Sequence, residues 1–329
     1  MKNSSIFWTT LIMIPLLVAV CVGVVHSAKE REENGGQQGY GTASLRNEIK
    51  IPASEADALE IIYTSKNIKV YPATADEIVI KEYLYSGRED AKATVSHDET
   101  ESGKKLVTVT GAKLQAEEIF LMGIGERIEV YLPKAAVESL TIRTNSGNIS
   151  CEDSGFALQA KGVNVQASSG NLRWLNTTAD EITFTTNSGN IDAENLSGEV
   201  SAKAGSGNIH VGNIAGSMTA KTGSGNIRIE ELAGAGNAEA NSGSVHIAVI
   251  ELTGNLEMNT GSGSIGAVLP KDAEFVLEAQ AGSGKVRTGF DEKVIYNEKH
   301  NRAAATIGNS PALSVKADAG SGNINITYQ

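Results

Sequence analysis

The residues of this 329-residue chain whose types could do chemistry are few and widely spaced. Of its five histidines, His26, His97 and His300 fall in segments that read as flexible or looped, whereas His210 and His246 share an outward column of a repeating pattern. Arg228 stands between them, and two strand spacings would hold the pair roughly 9–10 Å apart. Zinc ligands must each lie within about 2.0–2.3 Å of the metal, so that pair alone makes no zinc site. The same column, Arg173, Asp192, His210 and Arg228, is the nearest approach to the clustered side chains of a carbohydrate-active solenoid enzyme. It offers one residue per repeat and is mixed in sign. Cys21 lies in an N-terminal apolar run and Cys151 in the first clear repeat, so the folded domain can form no disulfide, and Cys151 reads as a small buried hydrophobe. No phosphate-loop pattern or nucleophile elbow is present. Calcium-binding solenoid turns carry Asp, and the corresponding position here is a neutral Asn. The residues therefore predict no catalytic set, no cofactor and no metal.

The elements that must position these side chains repeat. A Ser-Gly pair followed by Asn or a substitute recurs with its glycine at Gly147, Gly170, Gly189, Gly207, Gly225, Gly243, Gly263, Gly284 and Gly322. The spacings are 23, 19, 18, 18, 18, 20, 21 and 38 residues; the last is twice 19, so there one turn signal is lost or one unit lengthened. Such a period means stacked units that bury their apolar faces against neighbours. Ile191, Ile209, Ile227 and Val245 follow the corner, and Ala193, Val211, Ile229 and Ile247 come two residues later, with Asp192, His210, Arg228 and His246 between. That alternation is a strand with one face buried. A further apolar column, Leu196, Ile214, Leu232 and Leu252, leads to glycines 198, 216, 234 and 254, a second bend. The pattern predicts an all-β, single-stranded β-solenoid with two short strands per coil of about 18–20 residues. Asn148, Asn171, Asn190, Asn208, Asn226 and Asn323 share a column, as a ladder of side-chain amides would. Ser244, Ser264 and Lys285 interrupt it.

Composition agrees: glycine is abundant at 35 residues and aromatics are scarce at 5%, as a thin core requires. The formal charge, 28 minus 39 or −11, argues against nucleic acid as a partner, since that needs a cationic face. Residues 1–27 contain a run from Ile6 to Val25, uncharged and about 30 Å long as a helix, which reads as one transmembrane anchor or as a signal peptide cleaved before Ala28. Either exports the domain. Residues 28–44 are a polar, glycine-rich linker. Residues 45–143 read as the irregular N-terminal part of the solenoid, with a separate sandwich domain as the alternative. Leu132-Pro133-Lys134 recurs as Leu269-Pro270-Lys271, each proline 14 residues before a repeat glycine, which favours a shared template. His97 to Gly103 reads as a hairpin loop and Gln115 to Glu126 as an apolar-tipped loop. Residues 144–329 form the regular array, with an inserted loop at about 288–311. The last strand, from Asn323, reads as a sheet edge open to self-association.

With Thr144-Asn145-Ser146-Gly147-Asn148-Ile149 and Thr222-Gly223-Ser224-Gly225-Asn226-Ile227 as units, residues 50–329 resemble a bacterial β-strand-repeat family labelled adhesin, of the LiaG type. The resemblance implies an extracytoplasmic, membrane-tethered solenoid associated with the envelope stress response, and it supplies no catalytic residues. The expectation is a non-enzymatic adhesin or envelope-interaction protein, whose partner is an envelope component or a membrane protein. An accessory stress regulator is the alternative, and a carbohydrate-active enzyme the more distant one.

Overall fold

The computed structural model describes residues 43–85, 89–113, 125–135, 137–153, 155–290 and 294–329. The N-terminal run, the linker up to residue 42 and most of the loop expected from Gln115 to Glu126 lie outside the described residues. Among the described residues the regular structure is strand, apart from the short 3-10 turns Ala53–Glu55 and Glu89–Ala91. No helix there is long and apolar enough to cross a membrane.

In the regular array the alternation of residue types becomes an alternation of burial. Ile191, Ala193 and Leu196 point inward on the first leg of a coil, and Val200, Ala202 and Ala204 on the second. Successive coils pair in parallel, so Ile191, Ile209, Ile227, Val245 and Ile265 form one buried column, each beside the next. The two legs enclose a core only about three side chains wide.

Each regular coil is one strand, where two short ones were expected. Ile191–Ser206, Ile209–Ser224 and Ile227–Ser242 run 16 residues without a break, because the ladder continues through the second bend, where Gly198 pairs with Gly216. Asn195 and Asn213 take φ of 58° and 50° there, and Gly198 takes 129°. Asparagine tolerates this left-handed geometry and glycine adopts it freely, so the chain turns without losing its neighbours. The coil after Gly243 absorbs its extra length as a bulge. Leu232 pairs with Val249, and Gly234 with Leu252, so Val249 fills the third buried column and Leu252 packs half-buried beside it.

The structure stacks the corner residues Gly147, Gly170, Gly189, Gly207, Gly225, Gly243 and Gly263 over one another in that order, followed by Gly322 and then Gly284. A Cβ on Gly225 would lie 2.1 Å from the Gly207 carbonyl oxygen, so no larger residue fits the close approach. The asparagines beside them form a ladder unlike the expected one. It runs mainly from side chain to backbone: the Asn148 N–H donates to Asn67 Oδ1, and the same link joins Asn171 to Asn148, Asn190 to Asn171, Asn208 to Asn190, Asn226 to Asn208 and Ser244 to Asn226, at 2.8–2.9 Å. Ser264 then donates to Ser244 Oγ at 3.2 Å, Asn323 to Ser264 Oγ at 3.3 Å, and Lys285 to Asn323 Oδ1 at 3.0 Å. A serine hydroxyl accepts as an amide oxygen does. Lys285 ends the series, where only its backbone N–H is needed.

That final order shows that the stack does not follow the sequence. Ile324–Tyr328 lies between Ile265–Leu269 and Val286–Thr288, and Leu313–Ser321 lies between the second leg at 256–262 and Phe275–Ser283. The last strand is therefore an interior rung, and the edge expected there for self-association does not exist. The N-terminal end is built alike. Ala58–Tyr63 lies between Lys105–Thr110 and Ser139–Thr144, and Asn67–Pro72 lies between Arg127–Leu132 and Ile149–Cys151. The two Leu-Pro-Lys turns are the places where the chain skips an occupied rung, from Arg127–Leu132 to Ser139–Thr144 and from Ile265–Leu269 to Phe275–Ser283. Each must climb about 9–10 Å, twice the usual strand spacing.

Antiparallel strands close both ends. Glu77–Leu84 and Ser44–Pro52 cover Arg127–Leu132, and Thr94–Glu99 covers Lys105–Thr110. His97, expected in a loop, lies on Thr94–Glu99 opposite Val107. Glu82 knits the N-terminal end: it is 1% exposed and accepts hydrogen bonds from Tyr63 Oη, Asn47 Nδ2 and the Ala93 N–H. The 38-residue interval holds a lengthened unit, in which Arg302–Ile307 pairs antiparallel with Phe275–Ser283 and with Ile295–Tyr296. Phe290 packs there against Phe275 and Tyr328.

Candidate functional site

Two outward faces follow from this register. On the first leg, Asp192, His210 and Arg228 are stacked partners, as are Glu194, Gly212 and Glu230. Gly212 carries no side chain, and His210 reaches diagonally across to Glu230. Its Nδ1 lies 3.0 Å from Asp192 Oδ1 and its Nε2 2.8 Å from Glu230 Oε2. Arg228 pairs with the other oxygen of Glu230, while Arg173 approaches Glu152 and Asp192 at 3.6 and 3.7 Å. The result is an alternating charge ladder along the face.

Burial works against a proton on His210, but the hydrogen bonds to Glu230 and Asp192 outweigh it and raise the ring's pKa above 6.5. Arg228, and then His210, hold Glu230 down to about 2. His246 goes the other way: burial, aided by the Arg228 charge, lowers its pKa. The structure thus separates the two histidines of the column chemically as well as spatially.

Ligand atoms of Asp192, Glu194 and His210 lie within 4.8 Å of one another. A divalent cation would have to displace the ring proton that Asp192 holds, on a face where the His210 and Asp192 side chains are 36% and 42% exposed. Sequence reasoning found Arg173, Asp192, His210 and Arg228 but missed Glu194 and Glu230, two residues further along the same outward face. The period-2 alternation was the available signal.

The second bend carries a further ladder that sequence reasoning missed. Asn195 Nδ2 donates to Asn176 Oδ1 at 2.8 Å and Asn213 Nδ2 to Asn195 Oδ1 at 2.5 Å. This is the amide-to-amide arrangement expected at the other corner, where Asn226 Nδ2 to Asn208 Oδ1 at 3.4 Å provides one such contact.

On the second leg a shallow groove of about 320 Å³ runs beside the corner, lined by Thr185, Asn187, Lys203, Lys221, Glu239 and Asn241 among others. Gly205 and Gly223 also line it, and a Cβ on either would meet the backbone carbonyl of the neighbouring rung, at 2.7 and 2.5 Å. Lys221 Nζ pairs with Glu239 Oε2 at 2.7 Å. Cys151 is fully buried, and burial pushes its thiol up to about 12, which suits packing and not nucleophilic attack.

Comparison with known proteins adds a family. A family model described as Toastrack DUF4097 matches residues 56–327. Three solved structures are similar at low identity. A protein from Bacteroides fragilis described as a "putative adhesin" is 14% identical, with 85% of this chain and 96% of that chain covered and a TM-score of 0.39. One from Parabacteroides merdae with the same description is 12% identical, covering 87% and 97%, with a TM-score of 0.28. A "putative cell adhesion protein" from Clostridium sporogenes is 11% identical, covering 86% and 99%, with a TM-score of 0.24. Scores this low establish neither a shared ligand nor a shared activity. No curated protein matches the chain.

Proposed function

This chain belongs to the Toastrack DUF4097 family, and from that premise we propose that it is a non-enzymatic adhesin-type protein. Its N-terminal apolar run tethers it to the membrane, and its solenoid stands on the extracytoplasmic side to bind an envelope component or a membrane protein. The observation that carries the reading is the fixed outward face. Polar side chains repeat at about 4.8 Å along the stack, on a scaffold pinned rung to rung by the corner ladder. The His210 constellation supports it too, because its imidazole is held between two carboxylates instead of beside a nucleophile.

Within the family we assign the chain to the LiaG type, on the order of apolar run, polar linker and Ser-Gly-Asn array. A role as accessory regulator beside a membrane partner requires the run to be retained. Intact-mass measurement of the chain recovered from membranes decides this, and co-sedimentation of the purified chain with isolated envelopes tests binding. Retention of residues 1–27 and co-sedimentation are expected. A chain shortened by those residues would remove the tether, and polysaccharide turnover by the purified protein would overturn the non-enzymatic reading.

A further inference from the structure

Two outward columns of the second leg have a composition at odds with the rest of the chain. In-register pairing stacks Arg143, Gln166, Thr185, Lys203 and Lys221 in one column. The parallel column from Thr141 to Thr219 is all hydroxyl and amide, through Asn164, Thr183 and Ser201. Neither contains a carboxylate across five rungs, although the net charge of the chain is −11. Carboxylates bound the stretch on both sides, Glu60 beside Thr141 on one and Glu239 beside Lys221 on the other, and Glu181 and Glu199 stand two residues before Thr183 and Ser201 on the same legs. The groove over Thr185, Lys203 and Lys221 lies where the acid-free stretch ends, and Lys203 is exposed there between Thr185 and Lys221.

We propose that this groove binds an acidic polysaccharide, with Lys203 taking a carboxylate of one sugar unit, Lys221 taking another in exchange for its Glu239 partner, and the flanking Thr, Ser, Asn and Gln side chains taking the sugar hydroxyls. The inference rests on the envelope-binding role proposed above and names its site and ligand class. Charge complementarity selects an anionic ligand on an otherwise acidic protein. The neutral rungs select a hydroxyl-rich one: Gln166 and Thr185 separate Arg143 from the lysines, whereas a phosphodiester chain would favour an unbroken cationic row. The columns hold no aromatic side chain on which a base could stack, which disfavours single-stranded nucleic acid.

The test titrates the purified full chain with hexuronate oligomers, a neutral glucan of equal length and a glycerol-phosphate oligomer, at low and physiological salt. Hexuronate binding that weakens with salt is expected. The Lys203→Glu/Lys221→Glu double variant should bind about tenfold more weakly or worse, because each reversal replaces a surface attraction with a repulsion. Lys203→Gln/Lys221→Gln, which adds no repulsion, should show a smaller loss in the same direction. Lys316→Glu, further along the stack beside Glu278 and Glu257, should bind as the parent does. Equal affinity for the glucan, preference for the glycerol-phosphate oligomer, or unchanged binding by the double variant would each overturn the assignment. If the chain co-sediments with envelopes yet ignores hexuronate, this site assignment fails and the broader function stands. If it does neither, both fail.

Discussion

Asn208→Ala isolates one link of the corner ladder. The substitution removes the Oδ1 atom that accepts the Asn226 N–H at 2.9 Å and the exposed Asn226 Nδ2 at 3.4 Å, while the Asn208 N–H keeps its own acceptor, Asn190 Oδ1 at 2.8 Å. One orphaned backbone donor results, at a rung where the side chain is exposed. The net worth of such a bond is about 0.5–1.5 kcal/mol, and water reaching the exposed corner keeps the loss toward the lower half of that range. A loss near 1 kcal/mol corresponds to roughly a fivefold change in a local opening equilibrium. Hydrogen exchange at the Asn226 amide reads this directly, which matters because an array of this size need not unfold as one unit. Asn208→Ser should restore most of the protection, since Ser244 and Ser264 accept at 3.2 and 3.3 Å on other rungs. Lys285→Ala should change nothing, because that side chain supplies no acceptor. Equal loss of protection in the Ala and Ser variants, or a loss of the same size at Lys285→Ala, would refute the side-chain-to-backbone account.

Three other outcomes follow from the same structure. Gly225→Ala should destabilise by several kcal/mol, since its Cβ would meet the Gly207 carbonyl oxygen at 2.1 Å with φ at 149°; Gly212→Ala, whose nearest neighbour is Glu194 Cγ at 3.6 Å, should be close to neutral in the same urea titration. His210 has a folded-state pKa raised above 6.5, so its contribution is complete below that unfolded value and vanishes as pH rises through the folded one. His210→Gln should therefore cost stability at about pH 5 and little at about pH 9, and a gap that widens in alkali would contradict the ion-pair geometry. Cys151, with its thiol pushed up to about 12, should resist alkylation at about pH 8 until the protein unfolds, as peptide mass mapping can show; rapid native labelling would place it at the surface.

What the sequence revealed and what it hid divide along a physical line. Strand period, corner glycines and core columns are local, set by side-chain volume and φ within one coil, and Ile209 does lie beside Ile227. Which coil neighbours which is not local. Asn323 donates to Ser264 across 59 residues and accepts from Lys285 across 38, and no feature of its own segment announces that exchange. The interruption of the asparagine column was visible at Ser244, Ser264 and Lys285, but its meaning depended on knowing that the ladder needs an acceptor at every rung except the last. The His210 cluster was half legible. The column through Asp192 and Arg228 came from the repeat, whereas the reach to Glu230 is a diagonal contact between neighbouring rungs that the alternation alone does not reveal.

The exchanged coils make the carboxyl-terminal segment a keystone. A polypeptide emerging amino end first could zip its middle turns as they appear, yet the slot between 256–269 and 275–288 stays vacant until residues 313–328 arrive. Residues 275–288 therefore join the stack only through a segment made after them. Duplicating a middle turn lengthens such an array without disturbing the exchange, because the middle turns pair only with their immediate neighbours in sequence.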